Sequence, residues 1–288
     1  MLKKLLLALT VTAALAPAAH AGDAPEANPR VEIGWTAWAD AEAVSKTAAI
    51  VLQGYLQRDV ELTLADVSMQ YRALENGTLD AMLMSWQPNT HETYLRRHDE
   101  LIDAGVLYDG ARLGLAVPSY VPEDVVRTVG DLAKPEVREK LAGKITGIDP
   151  NAGLMGMTRS AMGAYDLSAY TLVEGTGPAM TKALGKAIAQ QDWIVVTAWT
   201  PHWMFGAHDL RFLEDPRDSF GETEAVHAMV RPELKQDDPE LYRFLKRMHF
   251  ELADLQALMA DIRAEGDRTA IVEWIRANPE TVRAWLGK

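Results

Sequence analysis

The chain has no cysteine among its 288 residues. That excludes a disulfide framework and thiolate chemistry, and it fits an oxidising compartment, where stray thiols are a liability. Positive charge is scarce: 29 Lys and Arg stand against 41 Asp and Glu, a formal charge of −12. Such a balance argues against nucleic acid or an anionic membrane surface as partner. Beyond the first residues no apolar run is long enough to span a bilayer. No G-x-S-x-G elbow, H-E-x-x-H pair, G-x-G-x-x-G loop or P-loop occurs. The pairs His91/His98 and His202/His208 have spacings that define no metal site, and Asp99-Glu100 and Asp237-Asp238 read as solvated surface. No enzyme, metal or cofactor is therefore expected.

The N-terminus reads as an export leader. Lys3 and Lys4 precede an apolar run from Leu5 to Leu15, and Ala19-His20-Ala21 supplies a small-x-small site, so cleavage is expected after Ala21. No Cys follows to carry a lipid. The expected product is a soluble periplasmic monomer. Its 48% hydrophobic content argues against a disordered chain.

Strand and helix patterns alternate. Strands are expected at 31–35, 60–64, 81–85 and 112–117, with helices at 41–57, 68–75 and 90–99 between them. A second series runs through 129–141 (broken at Pro135), 144–148, 154–165, 178–190, 193–198, 202–207, 210–213 and 225–230. From Pro239 to Trp285 the tail reads as three helices. Alternation of this kind predicts an α/β protein with largely parallel sheets. Two series of similar size predict two lobes, with residues 22–116 and 212–288 in one and 117–211 in the other. Two crossings between lobes make a hinge with a cleft.

Two segments echo each other. Asp80 to Trp86 is an acid, an apolar strand and a Trp, followed by Gln87-Pro88; Asp192 to Trp199 repeats this before Thr200-Pro201. Ligands of α/β sheets bind beyond the carboxyl ends of strands. Trp86 and Trp199 are thus expected at such ends, one per lobe, facing the cleft, and Trp35 ends the first strand in the same way. Each alone fits core packing; together they suggest an aromatic cage. Indole faces attract a cation that has shed its water, and a quaternary ammonium has no N–H that a carboxylate would serve better. Gly153 stands just before an expected helix, where free N–H groups point outward, although Asn151-Ala152-Gly153 also fits an ordinary loop and cap.

The segments GWTAW (34–38), MSWQPNTH (84–91), TGIDPNAGLM (146–155) and TAWTPHWMFGAHDLRFLEDP (197–216) resemble the glycine betaine/proline betaine/choline-binding proteins of ABC importers. The resemblance covers nearly the whole chain after the leader. It implies a two-lobed periplasmic-binding-protein fold of type II, a permease and ATPase as partners, and no cofactor. It implies a cage of Trp35, Trp86 and Trp199, with the ligand carboxylate on the amides of Gly153 and Leu154 and on the His91 side chain. His202 reads as support for the loop after Trp199. Trp38 and Trp203 fit either the cage or packing beside Trp35 and Trp199. Choline-binding relatives have an acid in a W-x-D pattern, where this chain has Ala37, and a fourth aromatic, where it has Leu115. Both departures favour a zwitterion over choline. They leave open glycine betaine, proline betaine, carnitine, trimethylamine oxide and dimethylsulfoniopropionate, and a sensing module on the same fold is the other functional class.

Overall fold

Val31 and Ile33 alternate with Glu32 and Gly34, which puts the two branched side chains on one buried face of strand β1 (Val31–Trp35). The computed structural model describes residues 30–288; the leader expected at 1–21 lies outside them. Helix α1 (Ala39–Tyr55) crosses over to β2 (Val60–Leu64), and α2 (Val67–Glu75) to β3 (Ala81–Gln87). Both β2 and β3 run parallel to β1. Asp66 starts α2 by accepting from the amide of Ser68 at 2.8 Å, as an N-cap carboxylate does. A short helix, α3 (Glu92–Arg97), leads into β4 (Ile102–Pro118).

The strand β4 joins the lobes. A short 3-10 turn (Val129–Ala133) then precedes α4 (Pro135–Lys140), β5 (Lys144–Thr146), α5 (Gly153–Ala164), β6 (Thr171–Val173) and α6 (Gly177–Gln190). After them come β7 (Val196–Thr200), α7 (Met204–Ala207) and β8 (Leu210–Phe212). The chain returns through β9 (Glu224–Val230) to α8 (Leu234–Asp237), α9 (Pro239–Arg247), α10 (Leu252–Glu265), α11 (Asp267–Ala277) and α12 (Pro279–Leu286). The strand order is β2-β1-β3-β9-β4-β7-β5-β6, with β8 also on β4. Residues Ile102 to Ala111 of β4 pair with β9, and Arg112 to Pro118 with β7 and β8.

Several expectations change. The sheet is mixed: β1, β2 and β3 are parallel, as are β5, β6 and β7, but every pairing of β4 and β9 is antiparallel. The expected strand at 112–117 is the second half of a longer one. Its first half is punctuated by Asp103, Gly105, Asp109 and Gly110, which read as a loop; in the fold they fall at register shifts of the β4–β9 ladder. Partner exchange in β4 comes between Ala111 and Arg112. On the return, the amides of Leu213 and Glu214 donate to the carbonyls of Leu115 and Arg127. The tail holds four helices after Pro239, because Pro279 has no amide to continue α11 and instead opens α12.

Candidate functional site

The turn after β3 is closed by reciprocal bonds. The amide of His91 donates to the carbonyl of Trp86 at 3.0 Å, and the amide of Trp86 donates back to Nδ1 of His91 at 3.3 Å. An accepting Nδ1 leaves the proton on Nε2. That Nε2–H is buried without a partner among the described residues. Burial pushes the His91 pKa down to about 3, so the ring is neutral at physiological pH. Thr90 is held in turn by Glu224, whose carboxylate accepts from the Thr90 amide and hydroxyl, each at 3.0 Å.

Opposite this turn stands the start of α5. Its N-cap is Ala152, which offers no side-chain acceptor, so the first N–H groups of the helix remain available together with its positive end. A Cβ on Gly153 would lie 2.3 Å from the carbonyl oxygen of Thr90. Only glycine lets the second lobe come this close to the first here. Gly177 repeats the device against the carbonyl of Ala37, at 2.9 Å.

Between the lobes these pieces line a small cavity, bounded by Trp38, Trp86 and Trp199, by Thr90 and His91, by Leu113 and Ile148, and by Ala152, Gly153 and Leu154. The three indoles are 5%, 3% and 3% exposed, so bulk water is excluded and cation–π attraction acts with little screening. Two of them are tethered by carboxylates. Trp199 Nε1–H donates to Asp40 Oδ1 at 2.8 Å, and Trp38 Nε1–H to Asp149 Oδ2 at 3.0 Å. None of the lining residues is acidic. The lining thus combines three indoles with the donors of His91 and of the first turn of α5.

The family model for the substrate binding domain of ABC-type glycine betaine transport systems, OpuAC, matches residues 29–277. The chain belongs to this family. The glycine betaine/carnitine transport binding protein GbuC of Listeria monocytogenes is 38% identical over 156 residues, 53% of this chain and 52% of GbuC. The match thus spans about half the length of that relative. Lactococcal OpuAC, in its closed-liganded conformation with glycine betaine, superposes with a TM-score of 0.82 at 32% identity, covering 90% of this chain and 100% of that one. The glycine/betaine/L-proline-binding protein ProX of Borrelia burgdorferi gives 0.83 at 30% identity over 89% and 96%. A choline binding protein in complex with choline gives 0.82 at 25% over 90% and 91%.

As an OpuAC-family protein the chain is a transport substrate-binding component with a two-lobed fold. Among its described residues no helix is long and apolar enough to cross a membrane. Of the expected site residues, Trp86, Trp199, His91, Gly153 and Leu154 line one cavity. Trp35 does not. Its ring lies under the ammonium of Lys46, 5.0 Å from the centroid, and Lys46 is itself paired with Glu42 and Asp267. Trp38 takes the place in the cavity: its amide donates to the carbonyl of Thr36 at 2.7 Å, and this tight turn redirects the chain after β1.

Asn151 stays outside the cavity and clasps the lobes. Its Nδ2 donates to Asp66 Oδ2 at 2.6 Å, and its carbonyl accepts from the Tyr94 hydroxyl at 2.9 Å. His202 stacks edge-on against Trp199 at 4.5 Å, with Nδ1 accepting from the Met204 amide at 3.0 Å. Trp203 faces a separate open cleft with Arg263 over its ring. Leu113 rather than Leu115 lines the cavity, opposite Trp199 in the β4–β7 register. Sequence reasoning assigns no role to Asp149, and places Asp40 only as an acid further on from the W-x-D position. Their signal is faint: Asp40 shares the first turn of α1 with a second acid, Glu42, and the sequence does not say which of the two is buried.

Proposed function

We propose that this protein captures glycine betaine, or a close quaternary-ammonium zwitterion, and delivers it to an ABC permease. The trimethylammonium sits among Trp38, Trp86 and Trp199. The carboxylate meets His91 Nε2–H and the amides of Gly153 and Leu154. The observation that carries this reading is the pairing of three buried indoles with an unpartnered His91 Nε2–H in one closed cavity. A cation alone would leave the donors unsatisfied, at a cost of about 1–3 kcal/mol for each buried one. A zwitterion satisfies both ends.

Capture runs by hinge closure. The lobes turn about β4 and the return segment after Glu214, and the ligand favours the closed form because only there do both lobes touch it. Export through the leader at 1–21 and action as a monomer complete the proposal.

Isothermal titration calorimetry of ligand-stripped protein tests it, with glycine betaine, proline betaine, trimethylamine oxide, choline and glycine. Binding of glycine betaine without binding of glycine is the expected result. A preference for choline would overturn the zwitterion assignment, and binding of none would remove the methylammonium class altogether.

A further inference from the structure

Asp40 is completely buried, yet among the described residues no cation pairs with it. Its Oδ1 accepts from Trp199 Nε1–H at 2.8 Å and its Oδ2 from the Tyr108 hydroxyl at 2.6 Å. The group lies in the first turn of α1, at the positive end of the helix. Every bond it makes is to a donor, so its surroundings fit the acceptor-only carboxylate. Burial raises its pKa, and the Tyr108 and Trp199 bonds offset that rise only in part. The carboxylate is thus stationed at the N–H edge of the Trp199 indole, a ring that also lines the cavity. Asp149 stands in the same relation to Trp38.

We infer that Asp40 is a specificity-determining residue: its charge, passed through the Trp199 indole, makes the cavity select a full positive charge over a neutral group of the same shape. Two effects act in one direction. A charge-assisted bond at the indole N–H draws the proton toward oxygen and enriches the π-face in electrons, which strengthens its pull on a cation. The unscreened carboxylate also attracts the ammonium directly through a water-free region. Asp40 needs no contact with the ligand for either effect. Indole faces alone discriminate shape and polarisability; the buried anion adds discrimination by charge. The inference rests on the proposed cage.

The test uses a ligand pair that differs only in charge. Glycine betaine and 3,3-dimethylbutyrate share three methyl groups, a methylene and a carboxylate, with N⁺ in one where the other has carbon. Asp40→Asn keeps the size and an acceptor for Trp199 Nε1–H but removes the charge. Affinities for both ligands are measured on wild type and D40N, by competition where direct binding is weak. Asp40→Asn should weaken glycine betaine by about tenfold or more and change 3,3-dimethylbutyrate by less than about twofold. Equal weakening of both ligands would mean that Asp40 only holds the ring, and would overturn the inference. A full preference for betaine retained in D40N would also overturn it while leaving the cage intact. Wild type without any preference for betaine would remove the cage and this inference together. If D40N fails to fold, Asp149→Asn on the half-buried partner of Trp38 carries the same comparison, with the same outcomes decisive.

Discussion

Trp38, in the first lobe, donates its indole N–H to Oδ2 of Asp149, in the second, at 3.0 Å. A wall of the cavity is therefore also a tie between the lobes. The tie forms only when the lobes have come together, so its loss should act on opening rather than on encounter. Asp149→Ala removes a bond to a charged acceptor, of a class contributing about 1.5–3 kcal/mol. The off-rate for glycine betaine should rise by about tenfold or more, with the on-rate little changed. Stopped-flow tryptophan fluorescence separates the two; a slower on-rate with an unchanged off-rate would mean that the tie forms before closure.

Tryptophans of the cavity and of the core should part company on substitution. Trp38→Ala should cost about 2 kcal/mol of betaine affinity, beyond the stability lost with any buried side chain of that size. Trp285 packs on Phe250 and Trp274, 4.9 and 5.7 Å between ring centroids. Trp285→Ala should cost about 3–5 kcal/mol of stability and spare affinity in whatever fraction remains folded. Trp35→Ala should spare affinity too. Calorimetric titration beside a thermal melt of each variant decides it, and a Trp35 effect as large as that of Trp38 would return Trp35 to the cage.

The contact of Gly153 with Thr90 makes a steric prediction. Gly153→Ala places a methyl 2.3 Å from a carbonyl oxygen that cannot withdraw without opening the lobes. Betaine affinity should fall by about a hundredfold or more, as expected when a closed form is made inaccessible. Small-angle scattering with saturating ligand should then report the open dimension. Affinity within a few fold of wild type would show that the lobes can close with a wider gap.

Two histidines should set an acid limit on stability. Burial pushes both His91 and His202 down to about 3. The unfolded chain binds their protons below about pH 6.5, whereas the folded chain stays neutral until about 3. Stability is thus complete above about pH 6.5 and is lost as pH falls toward 3, by about 1.4 kcal/mol per pH unit for each histidine in that window. His202→Gln should flatten the dependence by that slope in urea titrations at stepped pH. An unchanged slope would mean that the ring already carries its proton in the native state.

The parts of this molecule that the sequence discloses are those decided by near neighbours. The echo of Trp86-x-Pro and Trp199-x-Pro is legible because each Trp follows directly from its own strand, and both Gln87-Pro88 and Thr200-Pro201 are cis. The start of α5 at Gly153 is legible from the change of period after the loop. Trp35 and Trp38 could not be separated in this way. Both lie next to the end of β1, and the choice is made by a turn at Thr36 and by Lys46 and Asp149, which reach them from elsewhere in the chain. Asp40 is hidden for the same reason, since Tyr108 and Trp199 reach it from 68 and 159 residues further along the chain. The tie of Asn151 to Asp66 and Tyr94 likewise exists only between assembled lobes.

A strand that belongs to both lobes also limits how the molecule can be divided. The ladder of β4 with β9 and its ladder with β7 and β8 are built on one unbroken backbone, Ile102–Pro118. Cutting the chain between Ala111 and Arg112 would give each fragment a frayed end where its sheet needs a continuous neighbour. Neither half is then a transplantable module. An insertion or deletion inside β4 would shift side chains from one face to the other on both sides of the cleft at once, so variation in length should be tolerated in the connecting loops and rejected in this strand.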